Sequence, residues 1–324
     1  MELRSVDKLR VSVTDRCNLR CMYCMPETGI ALKPKNEILS FREIERAVRI
    51  TARRGVTKVR LTGGEPLVRK GIERLIEALS SIEEINDLAL TTNGILLKET
   101  ARPLKQAGLD RVTISMDTLD PEKYRFITKR PGLEKVLSGI EAARNAGLEP
   151  VKINVVALRG INDDEAVAFA AWAAENDLEA RFIELMPISR QPAACREAPG
   201  SPVLSDELKQ AIEEKMGKLD PLVTSKSSPA RVYALPRGSG KIGFISPISK
   251  PFCAGCTRLR LTADGKLRPC LASPEEIDLK GPMRSGAGDR TLLEIVDRAI
   301  EAKSHISGAM HFDRGNRTMC EIGG

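Results

Sequence analysis

Short runs of β-branched and other apolar residues recur along the chain, each followed by a polar turn and then by a segment whose apolar positions return at helical spacing. The runs at residues 10–13, 58–62, 88–92, 111–116, 151–156 and 180–185 predict strands. Between them, residues 41–54 set Ile44, Ala47, Val48 and Ile50 on one helical face, and residues 133–146 repeat the pattern. Gly55, Gly108 and Gly147 close helical segments just before the next strand, as helix stops do. Six strand–helix repeats of this kind imply a parallel sheet, and pattern alone leaves it either doubly wound or curled into a barrel.

Past a further helical segment at residues 205–216 the texture changes to Pro, Gly and Ser punctuation with short hairpin-like pieces. Residues 225–231 and 237–241 read as loops, and Asp264-Gly265 between two alternating runs predicts a hairpin. A second, smaller region therefore begins near Leu219, dividing the chain into residues 1–218 and 219–324. Its end holds one helix, predicted over residues 291–303, and a basic tail closing on Gly323-Gly324.

Apolar residues are 42% and charged residues 29% of the 324, the balance of a chain that folds around a core. The 51 Lys and Arg exceed the 44 Asp and Glu by 7, an excess that favours an anionic ligand. Aromatics are only 3%, with Trp172 the single tryptophan, which disfavours nucleic acid stacked on aromatic platforms. Charges at Glu2, Arg4, Asp7, Lys8 and Arg10 leave no apolar leader, and no run reaches membrane-spanning length. A cytoplasmic protein with no membrane partner is the expectation. In that compartment eight cysteines suit metal better than disulfides.

Cys17, Cys21 and Cys24 stand as Cys-x3-Cys-x2-Cys directly after the first strand. Three thiolates hold three irons of a [4Fe-4S] cube and leave the fourth open to a small molecule, whereas a zinc site wants four ligands. The run Thr14-Asp-Arg-Cys-Asn-Leu-Arg-Cys-Met-Tyr-Cys-Met-Pro26 resembles the cluster motif of the radical S-adenosylmethionine (SAM) superfamily. That resemblance implies a partial, incomplete (β/α)6 barrel of the TIM type. It also implies a cluster whose open iron binds SAM and a 5′-deoxyadenosyl radical made from it.

Further elements fall at strand ends, where a barrel gathers its site. Thr62-Gly-Gly-Glu-Pro66 follows the second strand, and its glycines would let backbone approach a ligand closely. By resemblance, Tyr23, Gly64, Ser115 and Met186 contact SAM, while Thr91 lies against the second substrate. Polar residues at strand ends are otherwise ordinary turn-formers, among them Thr92, Asn93-Gly94 and Asp117.

Cys253, Cys256 and Cys270 form a second incomplete triad, Cys-x2-Cys-x13-Cys, with the predicted hairpin turning the third thiol back toward the first two. Zinc would need a fourth ligand, and the two histidines, His305 and His311, lie far along the chain. A second [4Fe-4S] cluster would instead offer an iron to substrate. Arg258 and Arg260, two apart on a strand, point to one face and suit an oligophosphate.

Two such triads with a Gly-Gly end resemble the GTP 3′,8-cyclase family of molybdenum-cofactor biosynthesis over nearly the whole chain. The resemblance implies that Arg10, Arg60, Thr91, Lys152 and the run Arg258, Leu259, Arg260 bind GTP, with Arg181 nearby. It further implies an external electron donor, delivery of product to the cyclic pyranopterin monophosphate synthase, and room for a homodimer. A Gly-Gly tail entering the active site is expected on the same ground, with Arg314 and Arg317 adding positive charge there. Cys195 and Cys320 read as free thiols outside both triads, and the Pro- and Ala-rich loop at 190–202 departs from many relatives. The rival readings are a radical enzyme acting on RNA or peptide and a zinc module contacting nucleic acid.

Overall fold

All six apolar runs form strands in the computed structural model, which describes residues 5–187, 202–306 and 317–323. They are β1 (Lys8–Ser12), β2 (Lys58–Thr62), β3 (Asp87–Thr92), β4 (Arg111–Ser115), β5 (Lys152–Ala157) and β6 (Glu179–Glu184). The helices among them are α1 (Phe41–Ala52), α2 (Ile72–Ser80), α3 (Leu97–Gln106), α4 (Pro121–Thr128), α5 (Leu133–Asn145) and α6 (Ala166–Asn176). Helix α1 opens on a capping box in which the Ser40 hydroxyl accepts from Glu43 N–H and the Glu43 carboxylate accepts from Ser40 N–H. Helix α4 is an insertion before α5, started by the Asp120 side chain capping Glu122 and Lys123 with Pro121 in the first turn.

Downstream lie α7 (Ser205–Met216), β7 (Asp220–Leu222), β8 (Ala230–Ala234), β9 (Lys241–Ile245), β10 (Arg258–Leu261), β11 (Lys266–Arg268), β12 (Ile277–Asp278), α8 (Lys280–Arg284), α9 (Asp289–Ser304) and α10 (Met319–Ile322). Residues 230 and 231, expected in a loop, belong to β8, where Val232 turns inward to pair across β9. The predicted hairpin forms: β10 and β11 run antiparallel about a turn in which Gly265 takes φ +82°, a conformation that favours glycine.

The sheet order is β12-β11-β10-β1-β2-β3-β4-β5-β6-β9-β8-β7, parallel from β10 through β9. Thus the six N-terminal strands are flanked by three C-terminal strands on each side, the inner one of each three running parallel to them. Strands β9 and β10 stand at opposite ends of the parallel run and do not pair, so the curl stays open as a partial barrel.

Side-chain alternation decides what each face does. Leu9, Val11, Val59, Leu61, Leu88, Leu90, Val112, Ile114, Ile153, Val155 and Phe182 are buried in the hydrophobic core with Ile44, Val48, Leu75, Leu104, Ile140 and Phe169 of the helices. The alternate positions of the same strands carry Lys8, Arg10, Lys58, Arg60, Thr91, Thr113, Lys152 and Arg181, and these line a cavity. A closed TIM barrel fills that interior with Val, Ile and Leu; here it is polar and cationic. Phe182 meets Phe169 edge-on at 5.9 Å and stacks on Phe244 at 6.1 Å, joining β6 to the C-terminal β9. Such ring pairs add about 0.5–1.5 kcal/mol each beyond their buried area.

Candidate active site

Parallel register lines up like charges. Arg10 of β1 is level with Arg260 of β10 on one side and with Arg60 of β2 on the other, so three guanidiniums stand in a row. One step down the strands, Lys8 is level with Arg258 and Lys58. Like charges opposite one another repel and are normally selected against unless something anionic joins them. The outer cations are neutralised: Lys58 by Asp7 at 3.0 Å, Arg111 by Asp87 at 2.5 Å, Lys152 and Arg181 by Glu179 at 3.2 and 2.5 Å. Arg60 instead donates to the hydroxyls of Thr91 at 3.2 Å and Thr113 at 2.7 Å. Among the described residues, Arg60, Arg258 and Arg260 form no carboxylate pair. Burial, with the neighbouring positive charges, brings Arg60 and Arg260 down to about 9, and pulls Arg10 well below its usual value. Burial, reinforced by Arg181, likewise lowers Lys152 to about 8.

The first cysteine loop leaves the end of β1 and is bound to α4 by Arg20 N–H to Thr128 O and Met22 N–H to Ile127 O, both 2.9 Å. Cys17, Cys21 and Cys24 all face the cavity. Gly63 and Gly64 make room for this loop: a Cβ on Gly63 would stand 2.6 Å from Thr14 O, and one on Gly64 2.3 Å from Arg16 O. The segment is stitched down by Gly64 N–H to Thr14 O and Glu65 N–H to Arg16 O, each 2.8 Å. These glycines were expected to admit a ligand; the structure shows that they first admit the cysteine loop's own backbone, while both still line the cavity.

Two buried carboxylates brace the same floor. Glu65 accepts from Thr92 Oγ1 at 2.7 Å, Asn93 N–H at 2.7 Å and Leu67 N–H at 3.0 Å. Burial nevertheless pushes it up to about 7. Asp117 accepts from the Tyr23 hydroxyl and from Val156 N–H, both at 2.8 Å, and burial raises it to about 6. Tyr23 is thereby held by its hydroxyl beside Cys24. Burial pushes the Cys17 thiol up to about 11 and Cys21 well above its usual value, so deprotonation here asks for a cation to bind the sulfur.

The second triad sits across the cavity on Cys253, Cys256 and, past β11, Cys270. Lys303 of α9, buried, donates to Cys256 Sγ at 3.5 Å and to Pro269 O at 3.2 Å. Burial opposes ionisation of Cys256, but Arg258 and Lys303 outweigh it and bring the thiol down to about 6. Arg258 also lies over the Phe252 ring, 5.1 Å from its centre. Among the described residues no three Cys, His, Asp or Glu side chains converge on a point suited to a single ion. Triads of soft thiols are the donor chemistry that suits iron–sulfur groups.

The tail contributes Met319 and Cys320 to the wall of the same cavity. Arg317 pairs with Asp264 at 3.0 Å and Glu276 at 2.7 Å, and Lys33 joins Asp264 at 3.3 Å. Arg317 was expected to add positive charge to the cavity; its charge is instead spent on this anchor, and Arg314 lies outside the described residues. Gly323 adopts φ +69° against Ser12 and Thr62, and its carbonyl accepts from Arg260 at 2.7 Å. Cys320, read from sequence as a thiol without a place in the site, is buried, lines the cavity and lies 3.1 Å from Thr318 Oγ1. Cys195, Gly324 and residues 190–201 lie outside the described residues.

Every residue assigned from sequence to a cluster, to SAM or to GTP lines one cavity of about 540 Å³, with one exception. That cavity is shared by Arg10, Tyr23, Arg60, Gly64, Thr91, Ser115, Lys152, Met186, Arg258, Arg260 and both triads. The exception is Leu259, whose side chain points to the opposite face of β10 and is packed in the core, leaving only its backbone for a ligand. Lys8, Lys58, Glu65, Asp117, Asn154, Lys303 and Cys320 join the lining without having been assigned a role. Two-residue spacing from Arg10 and Arg60 was the signal for Lys8 and Lys58. Lys303 had none, lying on a helix that reads as amphipathic.

The "Radical SAM superfamily" family model matches residues 11–173, and "Molybdenum Cofactor Synthesis C" matches residues 178–307. A GTP 3′,8-cyclase of Thermodesulfovibrio yellowstonii is 49% identical over 99% of this chain and 98% of its own length. One from Pelotomaculum thermopropionicum is 48% identical with the same coverage. The crystal structure of Streptococcus suis SuiB bound to S-adenosylmethionine shares the fold, with a TM-score of 0.60 at 16% identity over 83% of this chain and 61% of that one. Among the described residues no helix is long and apolar enough to cross a membrane. The chain belongs to the GTP 3′,8-cyclase family within the radical SAM superfamily.

Proposed function

We propose that the chain is a GTP 3′,8-cyclase of molybdenum-cofactor biosynthesis, converting GTP to 3′,8-cyclo-7,8-dihydro-GTP. The observation that carries the reading is the in-register row Arg260, Arg10, Arg60 inside a cavity walled by both cysteine triads. A triphosphate would supply the negative charge that Arg60, Arg258 and Arg260 do not receive from a carboxylate among the described residues, and guanidinium forks meet its oxygens bidentately. Arg258 and Lys152 extend the same positive wall toward the second triad and Thr91.

Cys17, Cys21 and Cys24 would hold a [4Fe-4S] cluster, with SAM against Tyr23, Gly64, Ser115 and Met186. When bound, this pair supplies a 5′-deoxyadenosyl radical that removes the C3′ hydrogen of GTP, after which C3′ bonds to C8 and one electron and one proton complete the product. Cys253, Cys256 and Cys270 would hold a second [4Fe-4S] cluster with an iron left for the guanine edge. The remaining chemistry is placement: two ligands held within one closed space, with the tail over it to exclude water.

Residues 1–218 would thus carry the first cluster, SAM and the GTP contacts of Arg10, Arg60, Thr91 and Lys152, while residues 219–324 would carry the second cluster, Arg258, Arg260 and the tail. An external one-electron donor, hand-over to the cyclic pyranopterin monophosphate synthase, a cytoplasmic setting and a homodimer belong to the same reading. The test is anaerobic incubation of the reconstituted protein with SAM, reductant and each nucleoside triphosphate in turn. A product isomeric with GTP, formed from GTP alone with 5′-deoxyadenosine alongside, is the expected result. Deoxyadenosine release indifferent to the nucleotide would overturn it.

A further inference from the structure

Helix α9 carries a lysine where its pattern calls for an apolar residue. Leu292, Ile295, Val296, Ala299 and Ile300 form its buried stripe, and the next position on that stripe, four residues past Ala299 and three past Ile300, is residue 303. Lys303 stands there and is only 2% exposed. Lysine is almost never buried so fully unless an opposite charge meets it. Among the described residues no carboxylate pairs with Lys303. Its ammonium reaches Cys256 Sγ at 3.5 Å and Pro269 O at 3.2 Å, and the side chain lines the cavity. Those two contacts lie on separate arms of the second triad: Cys253 and Cys256 share one turn, whereas Cys270 follows Pro269 just past β11. The helix that presents the lysine is held from outside, where Arg54, just past α1, grips Asp297 through hydrogen bonds of 2.5 and 2.7 Å.

We propose that Lys303 is a positioning residue of the second cysteine centre, tying Cys256 to the arm that carries Cys270 and placing a positive donor beside the sulfur. The proposal rests on the proposed function, in which this triad holds an iron–sulfur cluster. Three thiolates bring such a cluster surplus negative charge, and a neighbouring cation and a hydrogen bond to ligand sulfur both favour its more electron-rich state. In the empty chain the buried charge costs stability, since no carboxylate offsets it. With the cluster in place the same charge is balanced. The consequence is a second centre that is easier to reduce and whose two arms keep one spacing.

The test compares wild type with Lys303→Met, which keeps a long stem and loses the ammonium, and Lys303→Arg, which keeps the charge and the donors. All are full chains reconstituted anaerobically, and the same three proteins carrying Cys17→Ala, Cys21→Ala and Cys24→Ala assign the signal of the second centre. In Lys303→Met the second cluster should be harder to reduce: at a fixed solution potential its reduced-to-oxidised ratio should fall at least about tenfold, a shift of about 59 mV for one electron. The first centre should not move, and Lys303→Arg should stay close to wild type. Before reconstitution, Lys303→Met should melt no lower than wild type, because methionine suits the apolar stripe that the lysine interrupts. An empty second triad in Lys303→Met beside a filled one in Lys303→Arg would also support the tie. A filled second centre at an unchanged potential in Lys303→Met would overturn the proposal. So would an equal shift, or an equal loss of iron, in both variants, which would trace the effect to packing. A wild-type chain that builds no cluster on the second triad would overturn the underlying reading of that triad instead.

Discussion

The Arg260 guanidinium donates a 2.7 Å hydrogen bond to the carbonyl of Gly323, tying the last described residue of the chain to one end of the arginine row. Arg258, two residues earlier and on the same face, has no such tie and leans on Phe252. The two arginines should therefore fail differently. Replacing either by alanine should weaken GTP binding by roughly 1.5–3 kcal/mol per lost charged contact, with SAM affinity nearly unchanged for Arg258→Ala. Arg260→Ala should also free the tail, seen as faster proteolysis after Lys303. Equal tail protection in the two variants would remove the clamp from the account.

Gly64→Ala is expected to damage the cysteine loop before it affects any ligand, because its Cβ would stand 2.3 Å from Arg16 O, a backbone atom that cannot swing aside. Iron bound by the first triad should fall sharply while the second triad still fills. Iron and sulfide content, read against a variant lacking Cys253, Cys256 and Cys270, separates the two. Full loading of the first centre would show that the loop can shift at low cost.

Two buried glutamates should give opposite pH responses in the metal-free chain. Glu65 is raised from 4.5 to about 7 by burial, so between those values the unfolded chain releases a proton that the folded one keeps, and stability falls as pH rises. Glu184 is the reverse: although burial opposes it, Ser249 Oγ and the N–H groups of Ser205, Ser249 and Ile248 hold its pKa below 4.5. Its contribution is present above 4.5 and is lost as pH falls through the lowered folded value. Melting temperatures across pH 4–8 should show Glu65→Gln flattening the decline toward neutral pH. Glu184→Gln should lower the melting temperature most at neutral pH and least in acid.

The fold was legible because alternation and helical period carry it locally: β1 to β6 lie within a residue or two of the apolar runs. The arginine row was half legible, since strand period gives the face but only parallel register shows Arg10 level with both Arg60 and Arg260. What escaped depends on long-range packing. Cys320 reaches the cavity because Arg317 meets Asp264 on the far hairpin, and Lys303 reaches Cys256 because α9 folds back on β11. Gly64 was legible as a close approach, but the partner, Arg16 O, was not.

The two triads should divide the reaction. On the proposed reading Cys21→Ala removes a ligand of the first cluster, and it should abolish SAM cleavage. Cys256→Ala should spare some cleavage and lose the cyclised product, because Cys256 faces Arg258 and Lys303 across the cavity from the first loop. Both proteins should fold, as neither cysteine belongs to the hydrophobic core. Normal product from the Cys256 variant would take the second triad out of substrate binding.

Deleting Gly323 and Gly324 tests whether the tail works in the reaction or only covers it. A glycine tail without anchors would fray, yet this one is fixed upstream by Arg317 on Asp264 and Glu276, and at its end by Arg260. Gly323 is also seated where another residue would not fit easily: at φ +69° its missing Cβ would lie 3.0 Å from Ser12 Cβ and 3.1 Å from Thr62 Cγ2. Those two residues end β1 and β2, directly beneath the cysteine loop and the Gly63-Gly64 segment. Truncation thus removes the contact with Ser12 and Thr62 and frees one guanidinium donor of Arg260. Both clusters, the melting temperature and GTP affinity should stay close to wild type, whereas cyclised product per 5′-deoxyadenosine released should drop strongly, because radical formed in a less enclosed space is quenched before it reaches C3′. Cluster absorbance, melting temperature, GTP titration and the product ratio are measured on the same preparation. An unchanged ratio would mean that the Arg260–Gly323 clamp orders the tail without serving the chemistry.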